Sequence, residues 1–122
     1  MPRKPPTRPT PAGLRDQLRR FAAARDWQQF HTPKNLAMAL SVEAAELLEC
    51  FQWLTPEQSA RLSTGDRRAV EEEIADVLLY LLRLSDVLGI DPLAAAGRKM
   101  RLNARKYPVA LSRGSARKYS RR

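Results

Sequence analysis

The chain has 122 residues, of which 43% are hydrophobic, and a formal net charge of +9. That length suits one domain with a modest core, and no run approaches the ~18 apolar residues that a membrane span needs. Cys50 is the single cysteine, so no intramolecular disulfide can form and a reducing, cytoplasmic setting is expected.

The positive charge first suggests a nucleic-acid partner, but its distribution argues against one built into the body. Residues 1–13 carry three basic residues and residues 98–122 carry ten, with no acid in either segment. The stretch 14–97 holds nine basic residues and all 13 acids. An acidic body between basic ends differs from a folded basic surface made for a duplex. Segments 1–13 and 110–122 are therefore expected as flexible basic tails around a domain at 14–109. A helical interaction or nucleic-acid-binding module that uses those tails is the alternative to an enzyme.

In chain order, residues 1–13 contain five prolines and lack the apolar stretch of a signal peptide. Leu14, Leu18, Phe21 and Ala22 recur at helical spacing and predict a helix to about Asp26. A polar and aromatic connection, Trp27 to His31, leads to Thr32-Pro33, an N-cap residue before proline at the first helical position. The helix it opens is predicted to run to about Gln52. Thr55-Pro56 repeats the signal for a short helix ending near Gly65. Asp66 is expected to cap a helix from about Arg67 to Leu88, with Gly89 just past its end. Asp91-Pro92 opens the last helix, to about Lys106, and Pro108 stops it. Nothing alternates with period two between turn residues, so the fold class is all-α with four main helices.

The acids are placed oddly for such helices. In the Arg67–Leu88 helix, Ile74, Val77, Leu78, Leu81, Leu82 and Leu84 cover much of the circumference, which marks a buried helix. Glu73 and Asp76 nevertheless share one face within it. Acids near a helix N-terminus suit the macrodipole, which accounts for Glu71 and part of Glu72 but not for Asp76. In the second helix Glu43, Glu46 and Glu49 recur every third residue, with no basic residue between Met38 and Gln52. Such a stripe repels itself unless something positive offsets it. The offset is either Lys and Arg from another helix or a hard divalent cation such as Mg²⁺, which prefers oxygen ligands. Spacing alone leaves these about even. The single histidine and the missing Glu-x-x-His pairs argue against a di-iron bundle.

Around these acids the sequence resembles the all-α nucleoside triphosphate pyrophosphohydrolases of the MazG-like superfamily, and within it the dCTP pyrophosphatase branch. The resemblance covers about Phe21 to Val109, through FAAARDWQQFHTPKNLAMALSVEAAELLECFQWL, EEEIADVLLYLLRLSDVLGID and KMRLNARKYPV. It implies hydrolysis between the α- and β-phosphates of a nucleoside triphosphate, with Mg²⁺ held by Glu43, Glu46, Glu73 and Asp76. It implies substrate contacts by Trp27, His31, Trp53 and Tyr80, with Asn35 a weaker candidate for the base edge. Lys99 and Asn103, four apart on the last helix, are implied near phosphate or sugar. Glu49 and Glu72 are both candidates for the general base, and Glu49 is favoured because it follows Glu46 by three residues. The family assembles from dimers, so a bundle completed by packing into a homotetramer is expected, or failing that a dimer.

Overall fold

The computed structural model describes residue 3 and residues 8–121. Among these residues the helices are α1 (Pro11–Ala24), α2 (Pro33–Glu49), α3 (Pro56–Ser59), α4 (Thr64–Val87), α5 (Pro92–Lys106) and α6 (Val109–Ser112), followed by a 3₁₀ turn at Tyr119–Arg121. No strand occurs among the described residues, in agreement with the all-α expectation. No described helix is long and apolar enough to cross a membrane. The chain forms two compact units, Met1–Gly89 and Ile90–Arg122.

Three helices of the first unit begin in the same way. Thr10, Thr32 and Thr55 each precede a proline, and each side chain accepts a hydrogen bond from the backbone N–H three residues on. The proline needs no donor in that first turn, and the threonine satisfies one of the amides left over. For this reason α1 starts at Pro11, ahead of the Leu14 start read from the apolar pattern. Ser63, not Asp66, caps α4: the Asp66 N–H donates to Ser63 Oγ at 3.1 Å, and Asp66 lies in the first turn. Helix α2 ends at Glu49, short of Gln52, because the Cys50 and Phe51 amides bond three residues back, to Leu47 and Leu48, and tighten the last turn. Replacing Thr32 with alanine should lower stability by about 1 kcal/mol in urea denaturation. An unchanged midpoint would show that the cap contributes nothing.

Helix α4 is central, and α1 and α2 both pack on it. Among the described residues the buried apolar side chains are Ala22 of α1, Leu36 of α2, and Val70 and Leu82 of α4. They hold the three helices at the register that brings their polar residues together.

The turn after α1 shapes the site directly. Trp27 N–H bonds back to Ala22 O and Asp26 N–H to Ala23 O, while Asp26 adopts a left-handed φ of 53°. This is the Schellman ending, with aspartate where glycine is commoner. It reverses the chain so that Trp27 packs edge-on against Phe21, with ring centroids 5.7 Å apart.

In the second unit, Asp91 caps α5 by accepting from the Leu93 and Ala94 amides. The stretch expected as a tail carries α6, and Tyr107 and Tyr119 meet edge to face with centroids 5.8 Å apart.

Candidate active site

Helices α2 and α4 carry the acids of the first unit to one place. Oxygens of Glu43, Glu73 and Asp76 lie within 4.8 Å of one another. The i, i+3 spacing of Glu73 and Asp76 aligns them on α4, and the packing of α2 against α4 supplies Glu43. Among the described residues of this unit, no Lys or Arg forms an ion pair with Glu43, Glu46, Glu73 or Asp76. Glu71, in contrast, has Arg67 at 3.5 Å, one turn away. Glu43 Oε2 and Glu73 Oε2 are shielded from solvent and have no hydrogen-bond partner. A buried carboxylate oxygen without a donor is costly, and a hard cation is the ligand for which such oxygens are suited.

The carboxylates perturb one another. Glu43 is raised above the ordinary carboxylate range, first by the proton it would share with Glu73, then by burial. Glu46 is also raised, chiefly by the Glu43 charge. Glu46 therefore stands beside the three clustered acids without being one of them. Of the two candidates for the base, Glu49 acts electrostatically on Glu46. Glu72 is exposed, and neither residue places an oxygen in the cluster.

A raised folded-state value makes a stability contribution that is present at low pH and lost as pH rises through it. Without a cation, the Glu43 and Glu46 charges therefore oppose folding above their raised values. Protonation relieves this as pH falls toward 4.5, their ordinary value. A cation competes with those protons. The Mg²⁺-induced rise in melting temperature should accordingly be larger near pH 8 than near pH 5. Equal shifts at both pH values would count against binding at these carboxylates.

Next to the acids lies a pocket of about 190 Å³. Leu18 and Phe21 come from α1, Trp27 and His31 from the following turn, and Asp76, Leu79, Tyr80 and Arg83 from α4. Asp76 belongs to both the acid cluster and the pocket wall. On α4, Glu73, Asp76, Tyr80 and Arg83 form one stripe at helical spacing. Trp27 and His31 meet edge to face at 6.2 Å. Burial, and then the Arg83 charge, lower His31 from its ordinary value, which favours the neutral ring.

Trp53 lies outside this pocket, in the turn after α2, and is 86% exposed. Asn35 is occupied elsewhere: its Nδ2 donates to Phe30 O at 3.0 Å and its backbone N–H bonds the Thr32 cap. Lys99 and Asn103 lie on α5, in the second unit. Phe21, Leu79 and Arg83 are pocket residues that the motif reading missed. For Arg83 a signal existed, because it is the one charged residue between Val77 and Ser85 on an otherwise apolar helix.

Helices that set an acid cluster able to take a metal ion beside an aromatic pocket frame one candidate site, and comparison with known proteins gives its class. The MazG-like family matches residues 38–121. A dCTP pyrophosphatase 1 from Bos taurus is 46% identical over 92% of this chain and 68% of its own length. Its counterpart from Homo sapiens is 44% identical over 92% of this chain and 67% of its own. The crystal structure of a pyrophosphatase from Archaeoglobus fulgidus superposes with a TM-score of 0.77 at 47% identity, covering 87% of this chain and 99% of that one. The chain belongs to the MazG-like family, in its dCTP pyrophosphatase branch, and is a hydrolase.

Proposed function

We propose that the protein hydrolyses the α–β phosphate bond of a nucleoside triphosphate, dCTP or a modified analogue, giving the monophosphate and pyrophosphate and so clearing unwanted nucleotides. The observation that carries this reading is that Asp76 joins the acid cluster to the aromatic pocket. A ligand with a polyphosphate at one end and a flat ring at the other fits that juxtaposition. The names of the relatives support the cytosine nucleotide.

Glu43, Glu46, Glu73 and Asp76 would hold Mg²⁺: the unpaired oxygens of Glu43 and Glu73 fit a hard cation, Asp76 lies in the same cluster, and Glu46 stands against Glu43. When bound, the cation would offset phosphate charge and favour ionisation of a water. Trp27 and Tyr80 would flank the base, and His31 would bond its edge. Glu49 or Glu72 would take the proton of the water that adds across the anhydride. Trp53 and Asn35, with Lys99 and Asn103 toward the phosphates, complete the contacts that the resemblance implies.

We also place the enzyme in the cytoplasm as a homotetramer, with a dimer as the smaller alternative. Ile74, Leu78 and Leu81 recur along one face of α4 and are 52%, 43% and 42% exposed in one chain. Met38 and Val42, one turn apart on α2, are also exposed. An apolar stripe of this kind on a single chain supports burial against a second copy.

The test is incubation with dCTP and Mg²⁺. The expected products are dCMP and pyrophosphate, with dCTP ranked against a panel of natural and modified triphosphates by kcat/KM. Release of dCDP and inorganic phosphate would overturn the choice of bond.

A further inference from the structure

The pocket contains an arrangement that hydrolysis at the acid cluster does not require. Arg83, only 6% exposed, donates from Nε to His31 Nδ1 at 3.0 Å. Arg83 is on α4 and His31 precedes α2, so the contact spans 52 positions of sequence. Guanidinium nitrogens are donors only, so Nδ1 must accept and the ring proton must sit on Nε2. His31 Nε2 has no hydrogen-bond partner among the described residues.

The arginine is held in turn. Its Nη1 donates to Asp86 Oδ2 at 3.4 Å, and Arg19 Nε of α1 donates to the same oxygen at 3.0 Å. The series Arg19, Asp86, Arg83, His31 thus connects α1, α4 and the turn that carries the pocket histidine. Asp86, with its side chain 10% exposed, offsets the buried cation. A charge-assisted chain whose Arg83 and Asp86 are largely shielded from solvent is a strong way to hold one orientation, although Arg19 at its outer end is exposed.

We propose that Arg83 is a positioning residue that locks His31 as the Nε2–H tautomer, so that this ring presents a donor and never an acceptor to the pocket and selects a base whose facing ring nitrogen is a bare acceptor. N3 of cytosine is such an atom. In uracil and thymine the same nitrogen carries hydrogen, and two donors would meet with neither satisfied. A site built to bond a polar group discriminates well against a partner that leaves it unpaired. The selection of bases rests on the reading of the pocket as the nucleobase site; the tautomer does not. The lowered His31 value agrees with a ring that stays neutral beside the arginine.

His31 is the only histidine in the chain, so its imidazole nitrogens can be followed without ambiguity by ¹⁵N NMR. The wild-type protein should show the Nε2–H tautomer. Arg83→Met should shift His31 toward a mixture of tautomers and lower the kcat/KM preference for dCTP over dUTP by about tenfold. KM should carry most of the loss. Arg83→Lys, which keeps a donor, should restore part of both, and serves if the methionine variant fails to fold. A wild-type ring protonated on Nδ1 would overturn the proposal before any variant is made. So would an Arg83→Met loss that falls equally on both nucleotides or mainly on kcat, since a purely structural role would act in that way. If the wild type hydrolysed neither nucleotide, the reading of the site and the base selection would fail together, while the tautomer measurement would still decide what Arg83 does to His31.

Discussion

Glu73→Gln is expected to lower hydrolysis by roughly a thousandfold or more, and at the same time to raise the melting temperature of the cation-free protein by about 2–5 °C. The two effects have one source. Glu73 and Glu43 each bring a solvent-shielded oxygen without a partner to a cluster that also holds Asp76. Carboxylates so close repel one another, and removing one charge relieves the others. The glutamine amide also offers a donor to a neighbour that lacks one. Function would suffer for the same reason, because a neutral amide is a poor ligand for a hard cation. Activity assays, circular dichroism and thermal melts with and without Mg²⁺ separate the components. The variant should remain helical and lose most of the Mg²⁺-induced shift. If the acids were instead offset by basic residues, removing one would strand a cation and lower the melting temperature. A less stable Glu73→Gln protein would therefore argue for ion pairing, and full activity would remove Glu73 from the site.

The second large effect is expected at the exposed face of α4. Ile74, Leu78 and Leu81 lie at i, i+4 and i+7, so their side chains form one stripe. Each such side chain contributes about 1.5–3 kcal/mol when fully buried rather than left in water. Leu78→Glu would put an unpaired charge in the middle of a surface that the proposed assembly buries. Light scattering at micromolar concentration should then report a smaller species than the wild type gives. Because Ala22, Leu36, Val70 and Leu82 are the only buried apolar residues among those described in a single chain, losing the partner should also lower the melting temperature sharply. A wild-type protein that is already monomeric, or a variant with unchanged mass and stability, would show that the stripe is only exposed apolar surface.

The helices were largely legible because their starts are local chemistry. Thr32-Pro33 and Thr55-Pro56 announce α2 and α3, and Asp91-Pro92 announces α5. The same signal stands at Thr10-Pro11, inside the proline-rich stretch expected as a flexible tail, and there too proline is tolerated in the first turn. At α4 two candidate caps compete within four residues. The structure uses Ser63, whose hydroxyl reaches the amide three positions on, and leaves Asp66 inside the helix.

For the site, periodicity by itself identified acids that face one way on a helix: Glu43 with Glu46, and Glu73 with Asp76. A stripe follows from 3.6 residues per turn and needs no partner to be recognised. Which stripe meets which is a different kind of question. The packing of α1 and α2 on α4 brings oxygens of Glu43, Glu73 and Asp76 into one cluster, with Glu46 beside it and in contact with Glu43 and Glu73. It also gathers Trp27, His31 and Tyr80 around one pocket and leaves Trp53 outside it. Arg83 stood out as a lone charge on an apolar helix, but its partner could not be read because His31 lies 52 positions away. The sequence determined the helices, their caps and the faces on which acids cluster, since these depend on neighbours a turn or less away. Only the tertiary structure decided which carboxylate oxygens cluster and which arginine holds the histidine, since those contacts depend on how the buried residues of three helices interlock.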